Sequence, residues 1–242
     1  MKIALCFYGQ PRSFEDGFKS IYEHILSKYD TDVFAHMWWS EDDINKILPG
    51  THVDYTPTVD MPKKFKDLYH PKDLCIEKGI YHTTKKIYNY PDFKSKSNAY
   101  NSNVSRFEST KKVIELKNHY ELLNDFKYDF IVCTRTDVNI LKFPDLEKLE
   151  KDKIYTTIDH QSDYSFNDFL WIFSEKHGIF LDMSDNLDDI YNYEELSDED
   201  TINKSFHIFS AEELFLIQFL KSKVIKNVVK ESSLKTGLIN RN

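Results

Sequence analysis

Short apolar runs and longer amphipathic stretches take turns along the chain. Residues 2–8 are apolar after Lys2 and short enough for a buried strand, and the polar turn Gly9-Gln10-Pro11-Arg12 follows at once. Ser13, with Asp16 three residues on, reads as a helix start. Phe14, Phe18, Ile21, Tyr22, Ile25 and Leu26 then recur at helical spacing, predicting an amphipathic helix to about Lys28. Residues 32–38 read as a second strand. Two strands joined by one helix-sized crossover run parallel, with a right-handed connection. The Gly9 to Arg12 turn therefore falls at a strand's carboxyl end, where open α/β sheets bind nucleotides.

Pro49, Pro57, Pro62, Pro71 and Pro91 break up residues 40–97, which read as irregular. Within them, 52–55 and 73–77 are short strand candidates and 62–69 a short helix. Ser105-Arg106-Phe107-Glu108 has the capping-box pattern, and Val113, Leu116, Tyr120 and Leu123 share one face of a helix to about Asn124. The stretch that organises the chain follows, Tyr128-Asp129-Phe130-Ile131-Val132-Cys133-Thr134-Arg135-Thr136-Asp137-Val138-Asn139. Its apolar run is strand-sized and switches abruptly to a cation and a carboxylate two residues apart. In an extended segment those two side chains point the same way, so Arg135 and Asp137 either face one ligand or close the strand end as a pair.

Further on, 145–151 reads as a short helix, 154–158 as a strand ending in Asp159-His160, and 169–173 as an aromatic strand entered through Ser165-Phe166-Asn167-Asp168. Ser174 is placed to cap a helix through about Met183. The acidic segment 182–204 reads as an exposed loop or lid. Ser210 and Glu213 make another capping box, opening a helix to about Lys221; 224–229 is a last strand and 230–242 a loose polar tail.

Composition narrows the class. With 40% hydrophobic and 30% charged residues the chain is globular rather than disordered. A net charge of −8 argues against a nucleic-acid partner, so the pairs Lys63-Lys64, Lys85-Lys86 and Lys111-Lys112 read as solvated faces. Cys6 and Cys133 lie in apolar runs and, with Cys75, lack metal-ligand spacing, which favours buried thiols in a reducing compartment. The first apolar run is too short for a signal peptide, and no stretch approaches the length of a membrane span. The expectation is a cytoplasmic protein. The GxGxxG and P-loop patterns are absent from the sequence.

Four segments in succession carry a resemblance: Leu5-Cys6-Phe7-Tyr8-Gly9-Gln10-Pro11-Arg12, Asp32-Val33-Phe34-Ala35-His36, Tyr128-Asp129 through Arg135-Thr136-Asp137, and Asn167-Asp168-Phe169. Together they resemble a family of GT-A-type glycosyltransferases found among bacterial surface-glycan genes and in large DNA viruses. The resemblance implies an α/β fold of GT-A (Rossmann-like) type, a mixed, mostly parallel sheet flanked by helices. One such domain would span 1–242, with a nucleotide-sugar-binding half at 1–140, an acceptor-binding half at 141–230 and the tail at 231–242. It implies a nucleotide-sugar donor, a glycan acceptor, and a DxD-like motif at Arg135-Thr136-Asp137 holding Mn2+ or Mg2+ against the donor diphosphate.

Arg135 stands where that motif has its first Asp, so Asp137 is the matching carboxylate, with Asp159 or Asn139 as helpers. The alternative is that Arg135 itself neutralises the diphosphate. Gly9, Gln10, Arg12 and Arg106 are the further donor-binding candidates, Lys112 a weaker one. Asp168 is the candidate base for the acceptor hydroxyl, with Glu212 and Glu213 next. His36 reads as a core histidine, and His160 beside Asp159 as either a strand end or a metal ligand. A metal-dependent nucleotidyl- or phosphotransferase and a non-catalytic binding module are the rival readings.

Overall fold

The computed structural model describes residues 1–48, 55–80, 93–158, 166–177, 183 and 211–239. Strand β1 (Lys2–Phe7) is buried on both sides: Ile3, Leu5 and Phe7 face one way and Ala4 and Cys6 the other. Helix α1 (Phe14–Ile21) follows, continued by a π-helical turn, Tyr22–Leu26, and leads into β2 (Asp30–Trp38). Then come α2 (Met61–Tyr69), β3 (Asp73–Glu77), the long α3 (Phe93–Asn124) and β4 (Phe130–Thr134). The remaining elements are β5 (Val138–Lys142), β6 (Ile154–Thr156), β7 (Leu170–Phe173), α4 (Ala211–Lys221), β8 (Val228–Lys230) and β9 (Lys235–Leu238).

Among the described residues, seven strands form one sheet in the order β3-β2-β1-β4-β7-β6-β8, and β5 and β9 form a separate ribbon. β1 pairs in parallel with β2, as the crossover reading required, and also in parallel with β4. Only β7 runs against its neighbours, so the sheet is mixed and mostly parallel. On one face, Phe14, Ile21, Phe65 and Tyr69 from α1 and α2 pack on Ile3, Leu5 and Phe7. On the other, Phe107 and Ile114 of α3 and Phe215 and Phe219 of α4 pack on Ala4, Cys6, Phe34 and Trp171. Each large apolar side chain buried there contributes about 1.5–3 kcal/mol. Among the described residues no helix is long and apolar enough to cross a membrane.

Several local expectations are corrected. Ser13 sits in the left-handed region (φ 45°) and makes no side-chain cap, because a capping hydroxyl needs an extended backbone to reach the first N–H groups. The Ser105-Glu108 pattern lies inside α3, which already runs from Phe93. Leu123 does not share the buried face of Val113; it is exposed. Only a 3-10 turn, Leu146–Lys148, stands in the expected 145–151 helix, and the strand expected at 154–158 stops at Thr156. Ser174 donates its hydroxyl to the Lys151 carbonyl at 2.5 Å and is followed by a turn; residues 178–182 of the helix expected there lie outside the described residues. A 3-10 turn, Ile225–Asn227, replaces the first part of the expected last strand. The tail is not loose throughout: β9 pairs antiparallel with β5, Val138 opposite Leu238. The strand candidate at 52–55 (apart from Tyr55, which bridges Leu48), Asp159, His160 and Ser210 lie outside the described residues, as does the 182–204 segment apart from buried Met183.

Candidate functional site

The order β2-β1-β4 puts a topological switch at β1, and the carboxyl ends of these strands open onto a crevice, the usual ligand position in such sheets. Two turns build its floor. After β1, Gly9 adopts φ 97°, a conformation that side-chain-bearing residues rarely take, and its N–H donates to Ser109 Oγ of α3 at 2.7 Å. After β4, Thr136 Oγ1 donates to the Arg12 carbonyl at 2.9 Å and lies 3.2 Å from the Gln10 carbonyl, tying the two turns together. The resulting cleft has a volume of about 400 Å³, within the range of small-molecule sites. Gly9, Gln10, Arg12, Arg106, Arg135 and Asp137 all line it. Six of the seven donor-binding candidates named from the sequence thus meet in one place, Lys112 being the exception.

The carboxyl edge carries a linked set of ion pairs. β4 ends at Thr134 and a turn at Thr136-Asp137 follows, so Arg135 and Asp137 do not lie along one extended segment; they grip each other. Arg135 Nε donates to Asp137 Oδ1 at 2.8 Å and Nη2 to Oδ2 at 2.6 Å. Arg106 of α3 pairs with Asp168, just before β7, and Arg135 Nη1 stands 4.0 Å from the same Asp168 oxygen. Burial works against the charge on Arg135, but Asp137 and Asp168 more than offset it and hold the guanidinium protonated. Burial, aided by the Asp168 charge, pushes the Tyr8 hydroxyl well up, and it donates to the Asp168 carbonyl at 2.6 Å. Asp168 itself is only 2% exposed. Its guanidinium partners line the cleft, and it does not.

A divalent cation fits this donor set poorly. Both oxygens of Asp137 accept N–H groups from Arg135, and one Asp168 oxygen is taken by Arg106. Mn2+ or Mg2+ prefers an oxygen-rich shell and would sit against a fixed positive guanidinium. Asp159, the expected second ligand, is outside the described residues. Asn139 lies on β5, beyond the turn. Lys112 turns to Glu77 and is not a cleft residue. The side chains of Glu212 and Glu213 are not described.

Sequence reasoning missed Trp38, Lys78 and Ser109. Trp38 and Lys78 line the cleft from the ends of β2 and β3, a position readable once the strands are known to be parallel. Ser109 had no signal, since its role depends on how α3 lies across the sheet. Its Oγ sits 2.7 Å from His36 Nδ1, and burial pushes the His36 imidazole down to about 4 against the pull of Glu77. That agrees with the expected core histidine.

No protein-family model and no curated protein matches the sequence. A solved structure described as a glycosyltransferase involved in the glycosylation of the major capsid of PBCV-1 is similar at a TM-score of 0.37 and 7% identity, over 96% of this chain and 81% of that one. A likeness that loose carries no inference about chemistry.

Proposed function

We propose that the cleft binds the diphosphate of a nucleotide-sugar and that the protein transfers the sugar to a hydroxyl of a glycan acceptor. One observation supports this above others: Arg12, Arg106 and Arg135 converge on a switch-point cleft in a chain of net charge −8. A guanidinium offers phosphoryl oxygens a planar fork of donors and stays charged at any working pH. In the reaction the bond between the anomeric carbon and the diphosphate oxygen breaks as a bond to the acceptor oxygen forms. The nucleoside diphosphate leaves with the electron pair, its charge met by Arg135 and Arg106. Asp168 takes the acceptor's proton, which requires Arg106 to exchange the carboxylate for a phosphoryl oxygen. In this reading Arg135 does the neutralising that a metal does in a DxD site.

The test is a thermal-shift panel of nucleoside diphosphates and nucleotide-sugars, with Mn2+ and with chelator. A ligand at 100 times its Kd stabilises by about 2.7 kcal/mol, and chelator is expected to leave that shift in place. Absence of stabilisation by every nucleotide tried overturns the reading. Product analysis separates the rival enzyme class, since pyrophosphate or a phosphorylated acceptor would replace the nucleoside diphosphate. Asp168→Asn is expected to keep donor binding and lower transfer by about 10²- to 10⁴-fold, the usual worth of a general base. Transfer at the wild-type rate in that variant places the base elsewhere.

A further inference from the structure

Beside the cleft, three side chains of metal-binding chemistry meet between β2 and β3. The parallel register sets His36 opposite Cys75 and Trp38 opposite Glu77. Side chains two residues apart share a face, so His36, Cys75 and Glu77 project to the same side, the side covered by Ser109 and Lys112 of α3. One ligating atom from each of the three lies within 4.8 Å of the others. Tetrahedral coordination by nitrogen, oxygen and sulfur at ordinary bond lengths needs ligand–ligand distances of about 3.3–3.8 Å, so a contraction of about 1 Å closes the set.

The imidazole is already aimed. Ser109 Oγ, 2.7 Å from Nδ1, fixes the ring so that Nε2 faces Glu77 Oε2 at 3.3 Å. With the proton on Nδ1, Ser109 accepts from both that N–H and Gly9 N–H, and the Nε2 lone pair is turned toward the cluster. Orientation through the second ring nitrogen is the usual support of a metal-ligating histidine. Cys6 and Cys133 are buried, and Cys75 is the partly accessible thiol. The Glu77 carboxylate is neutralised by Lys112, whose side chain is one-third exposed on a flexible stem and can withdraw.

We propose that His36 Nε2, Cys75 Sγ and the Glu77 carboxylate form a site for a divalent transition metal of the zinc class, with its fourth position open and Lys112 as its competitor. Thiolate with imidazole selects zinc-like ions over Mn2+ or Mg2+, so this site is chemically distinct from the diphosphate cleft. A bound metal pins β3, which stands at one end of the sheet order, to β2. It also lies one side chain, Ser109, from the Gly9 N–H on the cleft floor.

Titration of the full chain with Co2+, followed by near-ultraviolet absorbance, tests this without any sugar donor, so its failure is separable from failure of the transfer reading. The expected result is a saturable thiolate-to-cobalt charge-transfer band, bleached by Zn2+ and lost in Cys75→Ser. Lys112→Met, which removes the competing ammonium, is expected to tighten Co2+ binding about two- to fivefold, the scale of a partly exposed ion pair. Mass spectrometry of wild-type protein alkylated with iodoacetamide gives an independent measure: Zn2+ should protect Cys75. A band that survives in Cys75→Ser, Co2+ binding without the band, or unprotected Cys75 at saturating Zn2+ each overturns the proposal.

Discussion

Arg135 and Asp137 illustrate how little separates a ligand-facing pair from a self-contained one. Their spacing would aim both at one ligand along a strand, but the turn after Thr134 lets the guanidinium fold back onto both carboxylate oxygens. The sequence identified the residues and left both outcomes open; only the turn at Thr136-Asp137 decides between them. Asp137 is buried, so Asp137→Ala leaves the Arg135 guanidinium without its two-point partner, with Asp168 at 4.0 Å the remaining carboxylate, and should cost about 3 kcal/mol, read by urea denaturation. The Arg135→Ala/Asp137→Ala double variant should lose less than the sum of the singles. Transfer should separate the two residues in the opposite sense. Arg135→Ala should fall on the order of 100-fold, as loss of a preorganised charge contact does, and Asp137→Ala by less per folded molecule. A chelator-sensitive wild type with Asp137→Ala the more crippled variant would restore the metal reading.

At the scale of elements, the strands and their direction were legible because β1, β2 and β4 are apolar runs separated by one helix-sized segment each or by recognisable breakers. Helix ends were less so. The capping pattern at Ser105 is satisfied as well in the middle of a helix, and the polar residues that line the cleft from the first half of α3 hid its helical start. β9 was invisible because Lys235-Thr236-Gly237-Leu238 has no apolar alternation, and its stability comes from pairing with β5. That pairing supports the site: Ile239 N–H donates to the Asp137 carbonyl at 3.2 Å. α1 braces the same turn from the other side. A Cβ added at Gly17 would lie 2.5 Å from the Thr136 carbonyl oxygen and 3.4 Å from that of Val138. Alanine is worth up to about 1 kcal/mol over glycine in a helix interior. The clash with fixed backbone, about 1–3 kcal/mol as is typical of overpacking, outweighs it by up to about 2 kcal/mol. Gly17→Ala should therefore lower Tm and, by shifting the Arg135-Asp137 turn, weaken nucleotide binding. An unchanged Tm would mean that α1 slides without cost.

At the scale of the molecule, the buried charges among the described residues are divided between the two edges of the sheet. The carboxyl edge holds the guanidinium groups of the cleft; the amino edge holds pairs that lock the strand starts together. Lys2 Nζ contacts Asp32 at 2.9 Å, Tyr128 donates its hydroxyl to Asp32 at 2.7 Å, and the Lys2 N–H donates to Asp129 at 2.8 Å. Nearby, Glu121 accepts the Tyr128 N–H at 3.0 Å and Lys117 Nζ at 2.9 Å. Burial raises the Asp32 carboxyl, but the hydrogen bonds of Tyr128 and Lys2 more than offset that and hold it below the ordinary carboxylate value. Glu121 is held down in the same way, burial being outweighed by the Tyr128 N–H and Lys117. A depressed carboxylate stabilises the fold fully above its unfolded-state value, about 4, and loses that contribution as pH falls through the folded-state value. Stability should therefore hold above about 6.5, fall below that value because the buried His36 imidazole, held down to about 4, takes up a proton only on unfolding, and fall further once pH drops below about 4 and these carboxylates lose their contribution. Asp32→Asn should be less stable than wild type at pH 7 and lose less on acidification, since it no longer takes up a proton on unfolding. Because Asp32 lies at the edge opposite the cleft, the same variant should bind nucleotide with wild-type affinity per folded molecule at pH 7. Urea melts at neutral and acid pH, paired with a nucleotide titration, check both halves; a steeper acid dependence in Asp32→Asn than in wild type would contradict the assignment of this cluster.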